Sequence, residues 1–217
     1  MKDFKNQKTG MKKFLPLIIL ILGIGVLITV FFVNKSKNTS ENSFTQEEKA
    51  LIDVPLEKRP VVSLTPTSDG HYLKLKIEKL NLFNAVSLDY KLEYKVPGNP
   101  DQGVPGMVKL TGKDIFEADL LLGSESSGKY RYDEGVEQGS ITLSYRNADG
   151  KLLARFKSDF HLQSDVGELT SLDGKFNYTL DKTQKGVFYI TMPTIGNPDS
   201  SFTAVISKDG YAVFASI

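Results

Sequence analysis

The sequence predicts an all-β domain, an antiparallel β-sandwich of the immunoglobulin-like or a related type, preceded by one N-terminal transmembrane α-helix. Three observations predict this fold. An uncharged apolar run lies near the N-terminus, apolar and polar residues alternate from Val61 onward, and four Asp-Gly dipeptides punctuate the alternating part. Alternation with a period of two is typical of half-buried antiparallel strands, and Asp-Gly between two such runs indicates a hairpin turn.

The apolar run, residues 14–33, is twenty residues long, without charge and with Thr29 as its single polar side chain. At about 1.5 Å per residue it spans about 30 Å, the thickness of a bilayer's hydrocarbon core. It is longer than a typical signal-peptide core and no small-residue cleavage site follows, which predicts a retained signal anchor. Five lysines and one acid in residues 1–13 predict a cytoplasmic basic tail and an extracytoplasmic C-terminal domain.

Residues 34–59 are polar and predict a flexible tether. Within them, residues 45–48 read Thr-Gln-Glu-Glu, the spacing of a helix capping box. This pattern predicts a helix of two or three turns that ends at Pro55. A disordered stalk is the alternative, because an isolated helix of that length is only marginally stable in water.

Residues 60–217 form the predicted β-domain, of roughly eight to ten strands by these patterns. The alternation is clearest at 72–79, 85–96 and 141–145. The Asp-Gly turns pair 140–146 with 152–160, and 202–207 with 211–216. Further strands are predicted at 61–64, 104–110, 130–132, 175–180 and 187–192. The connections are too short for crossover helices, which excludes a parallel α/β sheet but leaves sandwich and open barrel as alternatives.

Composition excludes several classes of function. The chain has no cysteine, so disulfides, thiolate metal sites and cysteine nucleophiles are absent, which favours a bacterial cell surface over a eukaryotic secretory product. From Pro60 onward there are 17 Lys and Arg against 20 Asp and Glu, a net charge of −3. A mildly acidic domain lacks the basic face that nucleic-acid binding requires. No cofactor and no nucleic-acid partner are predicted.

Residues for catalysis are few. The two histidines, His71 and His161, stand in no nucleophile motif, so we predict no enzyme. Paired carboxylates among Asp133, Glu134 and Glu137, or among Asp114, Glu117 and Asp119, would suit a glycan hydrolase, the least favoured alternative. Loop oxygens also suit calcium, but without the spacing of a known calcium loop, so no metal site is predicted; the residues considered are Asn99, Asp101, Asp133, Glu134 and Asp199.

Two segments resemble recognition loops more than turns: the Pro/Gly/Asn-rich 97–106 and the Ser/Gly/Tyr-rich 122–132. Long loops on a β-scaffold commonly carry binding, and Tyr with Ser and Gly is adaptable contact chemistry. The candidate binding residues are Asn99, Asp101, Tyr130, Arg131 and Tyr132. We therefore expect a single-pass cell-membrane protein whose outer domain has a non-catalytic binding or envelope-associated role toward protein or glycan. An accessory subunit of a membrane complex is the alternative.

Overall fold

The computed structural model describes residues 51–197 and 204–216. Over these ranges the chain is all-β and every strand pairing is antiparallel, which confirms the predicted class. No helix within them is long and apolar enough to cross a membrane. The predicted basic tail and transmembrane helix, and most of the tether, lie outside the described residues.

The strands form one large sheet, one small sheet and two hairpins. A seven-stranded sheet has the order β13-β14-β12-β9-β8-β3-β4, a three-stranded sheet has the order β1-β2-β5, and β6–β7 and β10–β11 each pair alone. The strands are β1 (Val61–Pro66), β2 (Tyr72–Glu78), β3 (Ser87–Tyr94), β4 (Gln102–Lys109), β5 (Ile115–Leu121), β6 (Gly123–Ser126), β7 (Lys129–Tyr132), β8 (Gln138–Arg146), β9 (Leu152–Ser164), β10 (Glu168–Thr170), β11 (Asn177–Thr179), β12 (Phe188–Pro193), β13 (Ile206–Lys208) and β14 (Tyr211–Ala215).

The main core lies between the two larger sheets. The predicted inward residues of β2 and β8, among them Leu75 and Leu143, are fully buried in one cluster to which both sheets contribute. Two antiparallel sheets that share one core are consistent with the predicted sandwich. Ile190 in β12 belongs to this cluster, whereas its neighbour Tyr189 belongs to a second cluster beneath the β10–β11 hairpin. Because strand neighbours point to opposite faces, the two clusters lie on opposite sides of the large sheet.

The turn predictions agree with the structure. Each of the four Asp-Gly dipeptides joins two paired strands, namely β1–β2, β8–β9, β10–β11 and β13–β14. Residues 140–146 and 152–160 pair as predicted, and β13–β14 confirms the described part of the second predicted hairpin. In that hairpin Asp209 and Gly210 both have positive φ, 54° and 79°, which a two-residue type I′ turn requires.

The prediction of eight to ten strands is wrong, because fourteen occur in the described residues. The strands missed are β5, β6 and β10. In β5 the alternation of Phe116, Ala118 and Leu120 is obscured by the leucine run that follows. β6 reads Gly-Ser-Glu-Ser and is held by backbone pairing rather than by apolar alternation. The five single-strand predictions are confirmed with shifted ends.

The predicted long loop 97–106 is also shorter than expected, because β4 already begins at Gln102. Gly106 lies under the ring of Tyr90, where a larger residue would clash. The Leu110 N–H donates to the Val86 carbonyl at 3.0 Å, so alternate N–H groups of β4, those of even-numbered residues, face β3. The nitrogen of Pro105 therefore faces the free edge of the sheet, where proline is tolerated.

The packed part of the chain begins earlier than predicted. Residues 51–55 are not helical, contrary to the predicted helix, and a 3₁₀ turn follows at Leu56–Lys58. The Ile52 N–H donates to the Leu153 carbonyl at 2.9 Å, and Val54 is buried in the main core. The compact unit accordingly starts at Leu51, within the segment predicted as tether, because Val54 packs rather than remaining in solvent.

Candidate binding site: an aromatic row beside an acidic cavity

Three of the five predicted binding residues lie together on strand β7. Tyr130 and Tyr132 are two residues apart and share one face, whereas Arg131 points to the other face. Both tyrosines are exposed, Tyr130 by 54% of its surface and Tyr132 by 38%. The Ser/Gly/Tyr-rich segment is thus a paired hairpin that holds two tyrosines at fixed spacing; its second strand was predicted at 130–132, whereas β6 was predicted as loop.

These tyrosines continue into a stack with a histidine from another part of the chain. The His71 and Tyr132 rings are parallel within 2° with centroids 3.7 Å apart, and the Tyr130 and Tyr132 rings are parallel within 10° with centroids 6.1 Å apart. Tyr72 meets Tyr132 edge-on at 6.5 Å. We call His71, Tyr132 and Tyr130 the aromatic row. Offset and edge-to-face contacts of this kind fix ring orientation.

The local backbone explains how the row is assembled. The Leu122 N–H donates to the His71 carbonyl at 2.8 Å, which holds the start of the β6–β7 hairpin beside the start of β2. The Asp133 N–H donates to the Leu122 carbonyl at 3.0 Å, which closes the base of the hairpin. Gly123 has φ +151°, and a Cβ there would overlap the Arg131 carbonyl oxygen. Only glycine permits this close approach of the two strands.

An acidic cavity of about 460 Å³ adjoins the row through His71. Four carboxylates line it, those of Asp69, Asp133, Glu134 and Glu137, together with both histidines of the chain. The walls come from the β1–β2 turn, the β7–β8 connection, the end of β9 and the start of β12. No Lys or Arg is found among its described lining residues. The cavity is therefore negatively charged when its histidines are neutral.

Hydrogen bonds hold several of these groups in place. The Thr67 hydroxyl and the His71 N–H donate to Asp69, and these bonds, the Thr67 bond first, lower the pKa of Asp69. The Tyr94 hydroxyl donates to Asp133 at 2.9 Å; burial first and then this carboxylate raise the pKa of Tyr94. His161 Nδ1 lies 2.8 Å from the Thr170 carbonyl oxygen, which can only accept, so Nδ1 carries a proton.

The other two predicted binding residues lie elsewhere. Asp101 lines a separate cavity together with Lys157 and Asp159, and Asn99 donates to the Pro97 carbonyl within its own turn. The structure thus divides the oxygens considered for calcium: Asp101 is apart from Asp133 and Glu134, and Asp199 lies outside the described residues. Across 51–197 and 204–216, no three His, Asp or Glu side chains are arranged to hold a metal ion.

Sequence reasoning missed His71, Tyr72 and Asp69 as parts of the site. It considered His71 only as a possible catalytic residue and found it in no nucleophile motif. No local pattern links residues 69–72 to residues 130–132, because they meet only through the pairing of β2 with β5 and the return of the chain through the β6–β7 hairpin. No protein-family model matches the chain, and no curated protein shows significant similarity to it.

Proposed function

We propose that this β-domain is a non-catalytic binding module that recognises a protein ligand through the aromatic row. The observation that carries the proposal is the parallel stack of His71, Tyr132 and Tyr130, whose outermost ring is 54% exposed. Tyrosines supply a large contact area at low cost in conformational entropy, and they are enriched among the residues that dominate binding energy. Stacking fixes the rings beforehand, which lowers the entropy lost on binding.

The composition around the row favours protein over glycan. Ser124, Ser126 and Ser127 stand beside the tyrosines in the same hairpin, which gives the Tyr/Ser/Gly mixture that antibody loops use on protein surfaces. An exposed hairpin of this composition suits contact with the surface of a protein partner.

The site lies at the end of the domain opposite the entry of the chain. Ile52 bonds to Leu153 at the start of β9, whereas residues 162–164 at the end of β9 line the acidic cavity. About eleven residues of strand separate the two points, roughly 36 Å. We also propose that residues 14–33 span the membrane and that the β-domain is extracytoplasmic. The single-pass topology, the tether and the immunoglobulin-like type of sandwich remain part of the proposal.

A second candidate function, an accessory subunit of a membrane complex, is favoured by one other feature. A groove of about 440 Å³ lies beside β11 and β13; apolar side chains that include Tyr178, Leu180 and Val205 line it, together with Asp181, Lys182 and Gln184. Tyr178 and Val205 are exposed by 39% and 45%. An exposed apolar groove of this kind suits a permanent protein contact.

Position-specific photo-crosslinking separates the two functions. A photoreactive residue replaces Tyr130 in one full-length variant and Tyr178 in another, and adducts are compared in native cells. Both sites are exposed tyrosines in short hairpin strands, so they are matched. We expect one discrete adduct at position 130 that disappears in the Tyr132→Ala background. An adduct confined to position 178 would support the subunit role, and equal labelling at both positions would reject the binding proposal.

A further inference from the structure

We infer that the acidic cavity beside the aromatic row receives a basic side chain, lysine or arginine, of the protein ligand. This inference rests on the proposed function, since it names the chemistry that the same site would recognise. It depends on three features together: a cavity of about 460 Å³, its charge, and its junction with the row at His71.

Two of the four carboxylates in the cavity, those of Glu134 and Glu137, have no cationic partner within the described residues. Asp69 contacts His71, with 3.3 Å between Asp69 Oδ2 and His71 Nδ1, and Asp133 accepts a hydrogen bond from Tyr94. Glu134 and Glu137 are both exposed, and neither forms an ion pair with a described Lys or Arg. A cleft lined by one sign of charge concentrates the field and attracts the opposite charge.

The arrangement suits an organic cation better than a metal ion. Within the described residues, no three of the carboxylates and histidines converge at the distances a metal ion requires. Carboxylates spread around a cavity instead match a group that presents several N–H donors, as ammonium and guanidinium do. Of the row, only His71 lines the cavity, so the aromatic rings adjoin the carboxylates there.

The size of the cavity supports one side chain as the occupant. About 460 Å³ falls within the range of small-ligand pockets, about 300–1,000 Å³, and is too small for a folded element. A lysine or arginine stem would enter beside His71 and place its charged end among Glu134, Glu137 and Asp133. The tyrosines would then contact the stem and the flanking backbone of the ligand.

A matched pair of peptides tests this inference. Acetyl-Gly-Lys-Gly-amide and the same peptide with norleucine in place of lysine are titrated into ¹⁵N-labelled full-length protein in mild detergent. We expect the lysine peptide to shift the amide signals of Gly135 and Val136, and the norleucine peptide to bind at least about tenfold more weakly. The response should fade as salt approaches about 1 M, where the screening length is about 3 Å. Equal binding of the two peptides would overturn the inference.

Charge-matched variants locate the effect. Glu134→Gln with Glu137→Gln removes two charges from the cavity, and Glu117→Gln with Asp119→Asn removes two from the exposed face of β5. We expect only the first pair to weaken the lysine peptide, by about tenfold. Equal weakening by both pairs would mean a general charge effect and overturn the inference. Tighter binding of a glucosamine trimer than of the peptide would also overturn it and assign the cavity to an amine-bearing glycan.

The two proposals fail separately. If the position-130 crosslink persists but the lysine peptide does not bind to the cavity, the inference of a basic side chain is rejected and the proposed binding function stands. Loss of the position-130 crosslink defeats the binding function itself, whatever the peptide does.

Discussion

The two isolated hairpins of this domain have the same topology and opposite roles. In β10–β11, Leu169 is fully buried and Phe176 is 3% exposed, and both pack on the large sheet with Tyr189, Tyr211, Val213 and Ala215. In β6–β7, every residue from Ser124 to Tyr132 is exposed, and its tyrosines contact each other and His71. The first hairpin buries Leu169 and Phe176 against the sheet, whereas the second exposes both of its tyrosines.

The difference shows which interactions stabilise each hairpin. A two-stranded hairpin is at best marginally stable in water without an apolar face to bury. The β10–β11 hairpin obtains that face from the sheet, and its Asp173 also accepts a hydrogen bond from Tyr211 in β14. The β6–β7 hairpin depends on the backbone bond from Leu122 to His71 at its base, on ring stacking and on the close strand approach at Gly123. Because the β6–β7 tyrosines do not pack into the core, they remain available for contact with a ligand.

The largest expected effect is on global stability. Leu169→Ala removes a fully buried side chain and should lower the free energy of unfolding by about 2–5 kcal/mol. Tyr130→Ala, the matched change in the other hairpin, should change it by no more than about 0.5 kcal/mol. Denaturant titrations of the two full-length variants measure both values. A loss of several kcal/mol with Tyr130→Ala would mean that the aromatic row is structural.

Substitution of Gly123 should affect the β6–β7 hairpin alone. Gly123→Ala places a Cβ against the Arg131 carbonyl and should break the pairing of β6 with β7, which exposes the backbone amides of that hairpin to exchange. Gly128→Ala, at φ +77° with no atom within 4 Å of the new Cβ, should cost only about 1–2 kcal/mol of backbone strain. Hydrogen exchange measured by NMR compares the two variants. Protection lost equally in both would show that close approach at Gly123 is not the cause.

The smallest effect concerns acid stability at the tip of the β10–β11 hairpin. The hydroxyl of Ser171, and next that of Tyr211, lower the pKa of Asp173 from 3.8 to about 2. Because the folded pKa is depressed, the stabilisation is complete above pH about 4 and is lost as the pH falls through about 2. The destabilisation caused by Asp173→Asn should therefore be largest above pH 4 and shrink between pH 4 and pH 2. Thermal melts at several pH values measure it.

Asp149→Asn is the control, since Asp149 stands at the corresponding place in the β8–β9 turn, with Asn147 rather than a tyrosine beside it. A pH-dependent loss of the same size in Asp149→Asn would show that the turn, and not the hydroxyls of Ser171 and Tyr211, produces the effect.

How much of the fold the sequence predicts depends on how far apart in the chain the interacting residues lie. Alternation and Asp-Gly turns are local, so they identified the β8–β9 pairing and the inward faces of β2 and β8. β6 escaped prediction because nothing apolar marks it, and its pairing depends on a glycine whose role appears only when Arg131 lies opposite.

The candidate site follows the same division. Tyr130, Arg131 and Tyr132 were predicted from the composition of one segment, and the structure places two of them in the row. His71 could not be linked to them, because it lies about sixty residues away in the chain and meets Tyr132 only in the folded protein. Asn99 and Asp101 were predicted from loop composition alone, and the structure places Asp101 in a different cavity.

The proline on the free edge of β4 affects how neighbouring copies of the domain would associate. Copies held side by side at a surface would meet at high local concentration, where open sheet edges join into fibrils. In the seven-stranded sheet one edge is β13, only three residues long, and the other edge lacks an N–H donor at Pro105. Within 51–197 and 204–216, neither edge of this sheet offers an unbroken row of donors, so the large sheets of neighbouring copies would not join through these edges.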